Sequence, residues 1–348
     1  MEEIRIIREP AVLSEEYMPA SLSGREEQIH QLNLRLAPAL KHRKPVNIWL
    51  YGNPGTGKTA VARWALQRLR RESPIQSVYI NWWKHNSLYL VADEIVKELR
   101  IMFADKTEAA LKLERFERSI GNKPFVIVLD EIDKPAPKER NAILYNLARI
   151  GSVGLVAICN SRYFLMNVDP RVLSRVALRQ IAFEPYSAEE LVGMVEQRAR
   201  EALVSGSWDQ ETLGRIASLS DGDARVAIQT LNNAAELAES DRSRVILAQH
   251  VESGFTSARE LEQRYLLQSL TEHHRAIFEL IKGSGSEGML SNTLWQGYLR
   301  HCSDIGKRPV ASRTFSAYVA TLISVGLIES ERADMRGNIR LLRVKKEG

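Results

Sequence analysis

The sequence contains only two cysteines, Cys159 and Cys302, which stand far apart in a chain of 348 residues. This scarcity excludes the disulfide framework of small secreted domains, and a reducing cytosol is the expected compartment. No group of cysteines and histidines has the spacing of zinc ligands, so a structural zinc site is not expected.

Long apolar runs are also absent, so no segment is expected to span a bilayer and no membrane partner is expected. The first residues, Met-Glu-Glu-Ile-Arg, lack the basic and then apolar pattern of a signal peptide. Hydrophobic residues make up 44% of the chain and charged residues 26%, as in ordinary soluble globular proteins. The length suggests two or three domains.

The net charge of +5 is unevenly placed. Residues 261–348 hold 13 Lys and Arg against 9 Asp and Glu, whereas the other 260 residues hold 35 against 34. A basic C-terminal quarter indicates an anionic partner such as nucleic acid, although the charge alone is a weak signal.

The most specific motif is the phosphate-binding loop G-x-x-x-x-G-K-[ST] at residues 52–59. Residues 46–51 read as a buried strand and 60–70 as a helix, which is the context that the motif requires. Lys58 is expected to reach the β- and γ-phosphates, and the Thr59 hydroxyl to bind Mg²⁺. The alternative is a glycine turn with a chance lysine. The predicted nucleotide contacts in this loop are Asn53, Pro54, Gly55, Thr56, Gly57, Lys58, Thr59 and Ala60.

Two acidic residues end an apolar strand that is predicted at 125–131, after a shorter strand at 77–81. Such an apolar run is typical of the centre of a parallel sheet, and ligands bind at the carboxyl ends of its strands. Asp130 is expected to hold Mg²⁺, usually through water, and Glu131 to polarise the water that attacks ATP. Acidic turn residues after a strand are the alternative.

A further strand is predicted at 154–160 and ends in Asn160, which is placed to hydrogen-bond the γ-phosphate or the attacking water. A turn-forming asparagine is the alternative. The alternation of strands and helices over residues 45–185 predicts a doubly wound α/β domain.

From Ser187 onward the pattern becomes helical, to about Leu247, with Ser187 as the expected N-cap. The segment 221–225, Asp-Gly-Asp-Ala-Arg, interrupts it before a helix that is predicted to start at Val226. Arg225 is expected to point back towards bound phosphates, unless it simply faces solvent.

Residues from about 257 to the end read as a separate unit with helices at 261–282, 294–302 and 312–325, the last capped by Ser312. A strand at 326–330 and a basic hairpin at 332–340 follow. Three helices and a hairpin describe a winged helix, whose third helix enters the DNA major groove. Winged helices also bind proteins, which is the alternative. The predicted DNA contacts here are Arg313, Arg332, Arg336 and Arg340.

Taken together, these motifs resemble the AAA+ ATPases, and more closely the archaeal replication initiators related to the origin recognition complex and the cell-division-cycle helicase loader. Four further segments carry the resemblance, which covers about residues 10–345: 16–29 at the N-terminus, 129–134 at the acidic strand end, 169–175 and 222–225.

The resemblance implies roles for residues that the motifs alone do not assign. Pro19 and Arg25 would lie at the adenine, Asn160 would be the first sensor and Arg225 the second. Arg175 would be the arginine finger, with Arg171 as the second choice. Because such a finger acts on the site of a neighbouring subunit, a monomer is expected to hydrolyse ATP slowly.

Initiators of this family grip DNA with a helical insertion, and its place is taken here by residues 82–86, which include Trp82, Trp83 and Lys84, and by a helix expected from Leu88 to about Met102. The tryptophans are expected either to touch DNA or to be buried against the sheet. Cys159, where the family often has a small polar residue, and residues 177–180, where it often has acids, depart from the pattern. We therefore do not transfer the family's specificity for a particular origin sequence to this chain.

The predicted architecture is an AAA+ P-loop ATPase domain of the α/β class (1–186), a helical lid (187–256) and a winged-helix DNA-binding domain (257–348). The resemblance implies a cytoplasmic, nucleoid-associated, ATP-dependent replication initiator, with ATP or ADP and Mg²⁺ as cofactors. Its implied partners are origin duplex DNA, the replicative helicase and other initiator subunits.

Two other functions remain open at this point. One is another AAA+ DNA-processing ATPase, such as a transposition regulator or a clamp-loader subunit. The other is a DNA-binding scaffold that holds ADP almost permanently.

Overall fold

A computed structural model describes residues 5–82, 84–85, 87–104, 107–332 and 340–344. The chain divides into two units, Met1–Phe255 and Thr256–Gly348. No helix in the described part is long and apolar enough to cross a membrane.

A five-stranded parallel sheet forms the centre of the first unit. Its spatial order is β2-β3-β4-β1-β5. Every residue of β3 and β4 is buried, because apolar residues on alternating positions of each strand enter the core on one face or the other. The strands are β1 Ile48–Gly52, β2 Gln76–Asn81, β3 Phe125–Asp130, β4 Val153–Cys159 and β5 Arg179–Phe183.

Helices pack on both faces of the sheet. Ile127 and Leu129 enter one apolar core, with Phe116, whereas Val126 and Val128 enter the other. The doubly wound α/β domain predicted from the sequence is therefore confirmed. The helices are α1 Glu26–Leu40, α2 Lys58–Glu72, α3 Leu88–Glu98, α4 Ala109–Ile120, α5 Pro137–Ala148 and α6 Pro170–Val176.

A helical lid follows the sheet, with α7 Ala188–Ala202, α8 Gln210–Leu219, α9 Ala224–Ser240 and the start of α10 Ala248–Ser269. Ser187 caps α7 as predicted, in a reciprocal capping box with Glu190. The predicted start of the next helix at Val226 is wrong. Asp223 is the N-cap of α9, because its carboxylate accepts the N–H groups of Arg225 (2.8 Å) and Val226 (3.3 Å).

The N-terminal segment packs on the lid, although the sequence grouped it with the sheet. Ile6, Ile7, Val12 and Leu13 are buried in the same core as α7, α8 and α9. The Glu239 carboxylate at the end of α9 accepts the backbone N–H of Ile7 at 2.8 Å. Long-range contacts of this kind leave no local pattern in the sequence, so they could not be predicted from it. The predicted domain boundary at residue 186 remains a prediction.

The second unit is a winged helix, as the sequence predicts. Its antiparallel sheet has the order β6-β8-β7. Its core includes Phe278, Leu294, Tyr298 and Leu342. The elements are α11 Glu272–Gly283, β6 Met289–Leu290, α12 Ser291–Asp304, α13 Ser312–Ser324, β7 Ile328–Arg332 and β8 Arg340–Val344.

Two details of the second unit correct the sequence analysis. The single helix expected at 261–282 is wrong, because α10 ends at Ser269 and Thr271, in an extended conformation, precedes a new helix. Ser312 is not the cap of α13, since Ala311 occupies that position and no side chain caps the helix.

Candidate functional site

The phosphate-binding loop joins β1 to α2 at the carboxyl end of the sheet. The Lys58 ammonium donates to the carbonyl oxygens of Gly52 (2.9 Å) and Asn53 (2.7 Å). Burial lowers the pKa of Lys58 to about 8, and nearby charges, including that of Arg225, act on it as well. A bound phosphate would replace these two neutral carbonyl acceptors of Lys58 with charged oxygens.

The N-terminus of α2 is open, unlike those of the lid helices. Ser187, Asp209 and Asp223 cap α7, α8 and α9 with side-chain oxygens, whereas no side chain caps α2. An uncapped helix N-terminus after a glycine-rich turn leaves N–H groups and positive dipole for an anion.

The loop touches the lid directly. Gly55 accepts the N–H of Ala224 at 3.1 Å. A Cβ at Gly55 would collide with the Asp223 carboxylate, and one at Gly57 would lie 2.5 Å from the Tyr186 hydroxyl oxygen. Glycine is required twice here, because both residues also have positive φ, 71° and 84°.

Arg25 connects the phosphate loop to the segment between β5 and the lid. Its guanidinium is buried and donates to the carbonyl oxygens of Thr56 (2.9 Å), Gly24 (2.7 Å) and Glu184 (2.8 Å). It also lies 3.5 Å from the centre of the Tyr186 ring. Arg25 therefore holds the loop against the first residues of the lid, and its predicted contact with the nucleotide, like that of the buried Pro19, remains a prediction.

Asp130 meets Thr59 at the end of β3, as the motifs predict. One Asp130 carboxylate oxygen, Oδ2, accepts the Thr59 hydroxyl at 2.8 Å. The other, Oδ1, accepts the backbone N–H of Glu131 at 2.9 Å. No group of three His, Cys, Asp or Glu side chains in the described chain could hold a metal ion. One hydroxyl and one carboxylate nevertheless fit Mg²⁺, which takes few protein ligands and completes its shell with phosphates and water.

Tyr79 is a contact of this site that the sequence analysis missed. Its hydroxyl donates to the same Asp130 Oδ2 at 2.5 Å. Burial and the neighbouring Asp130 raise the pKa of Tyr79 to about 12, so the phenol keeps its proton. The sequence could have indicated this contact through the position of Tyr79 on β2. Tyr79 lies two residues before Asn81, which pairs with Asp130.

Glu131 and Asn160 lie close together because they follow β3 and β4, which are neighbouring strands of the sheet. The Asn160 amide nitrogen is 3.3 Å from each carboxylate oxygen of Glu131. Glu131 has a positive φ of 59°, and burial raises its pKa. A carboxylate with a raised pKa beside the phosphate loop is suited to accept a proton from water.

Arg225 lies on the first turn of α9. Its side chain is 50% exposed, and its guanidinium is 3.9 Å from the Asp223 carboxylate. Asp223 is in contact with Gly55 of the phosphate loop. The half-exposed guanidinium of Arg225 therefore lies next to the phosphate loop.

Arg171 and Arg175 are exposed on α6, away from this phosphate loop. The strand that follows α6 starts at Arg179, which pairs with Ile48 at the beginning of β1. The loop starts at the other end of β1, at Gly52, about 13 Å away at roughly 3.3 Å per residue. Arg175, at the last turn of α6, lies 5.1 Å from the Tyr145 ring centre. Burial and the nearby Arg175 lower the pKa of Lys44, which precedes β1, so this arginine lies towards the end of the sheet opposite its own loop.

The predicted DNA contacts are solvent-exposed where the structure describes them. These are Lys84, Arg313, Arg332 and Arg340. Arg332 and Arg340 pair across β7 and β8, so two like charges face each other beside the wing. Arg336 and Trp83 lie outside the described residues. Trp82 is buried in the core of the sheet, which excludes a DNA contact by its side chain in this conformation.

Comparisons with known proteins agree with this geometry. A family model described as AAA ATPase domain matches residues 21–158. A second, described as Cdc6 AAA+ ATPase-type lid domain, matches residues 192–256. The two models cover the phosphate loop, the strands β1 to β4 up to residue 158, and most of the lid, whereas β5 lies outside both.

Relatives match over nearly the whole chain. ORC1-type DNA replication protein 1 of Sulfolobus acidocaldarius is 30% identical over 93% of this chain and 86% of its own length. The Aeropyrum pernix protein of that name is 32% identical over 94% and 88%. The solved structure of Aeropyrum pernix ORC1 in complex with DNA superposes with a TM-score of 0.82 at 30% identity, covering 99% of this chain and 94% of that one.

Proposed function

Because the chain belongs to the family of ORC1-type DNA replication proteins, we propose that it is an ATP-dependent initiator of DNA replication. It binds origin duplex DNA, helps to recruit or load the replicative helicase, and uses slow ATP hydrolysis as a switch. Through its DNA contacts it associates with the nucleoid.

The observation that carries this proposal is the meeting of Thr59 and Asp130 at 2.8 Å beside the buried Lys58, in a chain that also has a winged helix. The first feature supports nucleotide binding and hydrolysis, and the second supports binding to DNA. A relative solved with DNA supports the combination.

In the proposed reaction, the loop N–H groups and Lys58 hold the phosphates, and Arg225 closes on them from the lid. Thr59 and Asp130 would hold Mg²⁺, which when bound offsets the negative charge of the phosphates. Glu131 accepts the proton of the attacking water, and Asn160 holds the Glu131 carboxylate in place.

In this proposal the site is incomplete in one subunit, since Arg175 lies towards the end of the sheet opposite its own loop. We assign Arg175, with Arg171 as the second choice, to the site of a neighbouring subunit on DNA. Without that arginine the charge on the reacting phosphate is less stabilised, and hydrolysis is slow.

Duplex binding is assigned to Arg313 on α13 and to Arg332 and Arg340 beside the wing, together with Arg336. Lys84 of the first unit adds a further cation. Arginine suits this role because its planar fork binds both phosphate and guanine.

The experiment measures binding to a pool of random duplexes, with ATP and with ADP, over a series of salt concentrations. We expect one sequence to be enriched, and this enrichment to be lost in an Arg313→Ala, Arg340→Ala double variant. The matched control is Arg71→Ala, Arg149→Ala, which removes two exposed charges from the first unit.

Equal loss in both double variants, or binding that is blind to sequence and collapses with salt, would reduce the interaction to backbone electrostatics and overturn origin recognition. A tightly held ADP that does not exchange would instead favour the scaffold function.

A further inference from the structure

One contact at the nucleotide site belongs to none of the motifs of the chain. The Tyr79 hydroxyl donates a 2.5 Å hydrogen bond to Asp130 Oδ2, which also accepts the Thr59 hydroxyl at 2.8 Å. With the Glu131 N–H on Oδ1 at 2.9 Å, three donors surround this carboxylate. Its rotation is therefore fixed from both oxygens before any ligand arrives.

The three donors play different parts when a cation binds. Thr59 can direct a lone pair of its hydroxyl oxygen towards the cation while its proton stays hydrogen-bonded to Asp130. The N–H of Glu131 holds Oδ1 through the backbone. Tyr79 is the side chain that holds Oδ2 without being a ligand of the cation itself.

Arg63 holds Tyr79 in turn. Its guanidinium lies 4.5 Å from the centre of the Tyr79 ring. Arg63 is one helical turn after Thr59 on α2, so the two side chains project from one face of the helix. The same face therefore presents a ligand to Asp130 and a support to the tyrosine that positions Asp130.

We propose that Tyr79, supported by Arg63, is a positioning residue for the divalent cation of the nucleotide site. Partners that orient a metal ligand typically change metal affinity about 10- to 100-fold when they are removed. The proposal rests on the assignment of Thr59 and Asp130 to magnesium under the proposed function. It adds that the carboxylate of Asp130 is positioned for the cation by a tyrosine on a strand that carries no nucleotide motif.

The test separates metal binding from nucleotide binding. A fluorescent, non-hydrolysable ATP analogue is titrated into the protein in EDTA, and MgCl2 is then titrated at fixed analogue. For Tyr79→Phe we expect an affinity in EDTA within about twofold of wild type and a Mg²⁺ half-saturation about tenfold higher. Phenylalanine keeps the ring that Arg63 covers and removes the hydroxyl, and with it the hydrogen bond to Asp130 and the interaction of that hydroxyl with Arg63.

Two further variants sharpen the result. Arg63→Gln keeps the hydroxyl but loses the cation over the ring, and should raise the Mg²⁺ half-saturation by a smaller factor. Tyr51→Phe is the matched control, because Tyr51 is half-buried and stacks on Trp49 at 4.4 Å. It should leave both constants unchanged.

An unchanged Mg²⁺ half-saturation in Tyr79→Phe would overturn the proposal, as would an equal loss of affinity with and without the metal. If the wild-type protein fails to bind the analogue, the nucleotide site itself is wrong, and the role of Tyr79 fails with it. Analogue binding by wild type without a Tyr79 effect would leave the proposed function intact.

Discussion

At the scale of single residues, the charge of Lys58 is set by the loop that encloses it. Burial lowers its pKa to about 8, from 10.5 for a free lysine. Between these two pH values the lysine is protonated in the unfolded chain and neutral in the folded chain. The free energy of unfolding therefore rises as the pH rises through that window. Bound phosphate restores the charge and reverses the pKa shift.

Nucleotide binding should therefore take up a proton above pH 8. We expect calorimetric heats of ATP binding at pH 8.5 to differ between two buffers of unlike ionisation enthalpy. At pH 7, where Lys58 is already charged, the contribution of this residue should vanish. Equal heats in both buffers at pH 8.5 would show that Lys58 is protonated before the nucleotide arrives.

At the scale of elements, the phosphate loop depends on glycine for two separable reasons. Gly57 has a φ of 84°, and its Cα faces the Tyr186 hydroxyl, whereas Gly206 has a φ of 83° in open space. Alanine at either position strains the backbone and costs more than about 1 kcal/mol of stability. Only at Gly57 does the added Cβ also push the lid away from the loop.

We thus expect Gly57→Ala and Gly206→Ala both to lower the melting temperature, and only Gly57→Ala to weaken nucleotide binding, by at least tenfold. Thermal unfolding and a titration with labelled ADP measure the two effects. A similar loss of nucleotide affinity in Gly206→Ala would mean that general destabilisation, rather than the contact with Tyr186, explains the result.

Motifs that are local in sequence could be predicted at this scale, and contacts set by pairing could not. The phosphate loop and Asp130 follow from fixed spacings, and both lie where the sequence indicates. Tyr79 escapes because its role depends on the register of β2 against β3. The helix break at Thr271 could not be predicted, because the apolar spacing continues through it. The burial of Trp82 could not be predicted, because an aromatic side chain suits both a protein core and a DNA groove.

At the scale of the whole molecule, the position of Arg175 predicts how subunits cooperate. Arg175→Ala should leave the slow hydrolysis by the monomer unchanged and lower hydrolysis by DNA-assembled protein about 10²-fold or more, because the arginine acts on the neighbouring site. Hydrolysis rates with and without duplex DNA measure this difference.

Mixing provides the control. Arg175→Ala subunits keep an intact phosphate site, and Lys58→Ala subunits keep an intact arginine, so a mixture on DNA should recover part of the activity that each lacks alone. No recovery, together with a loss of hydrolysis by the Arg175→Ala monomer, would place the arginine in its own site.

The N-terminal segment in the core of the lid has a mechanical consequence. Residues 6–13 lie in the core of the lid, the chain crosses to the sheet before Arg25, and it returns to the lid after Glu184, so two crossings of the described chain join the lid to the sheet. Arg25 ties the crossings together through its bond to the Glu184 carbonyl oxygen. Two connections restrict the relative motion of two bodies more than one connection does, so we expect the lid to open and close over the phosphates about a single axis.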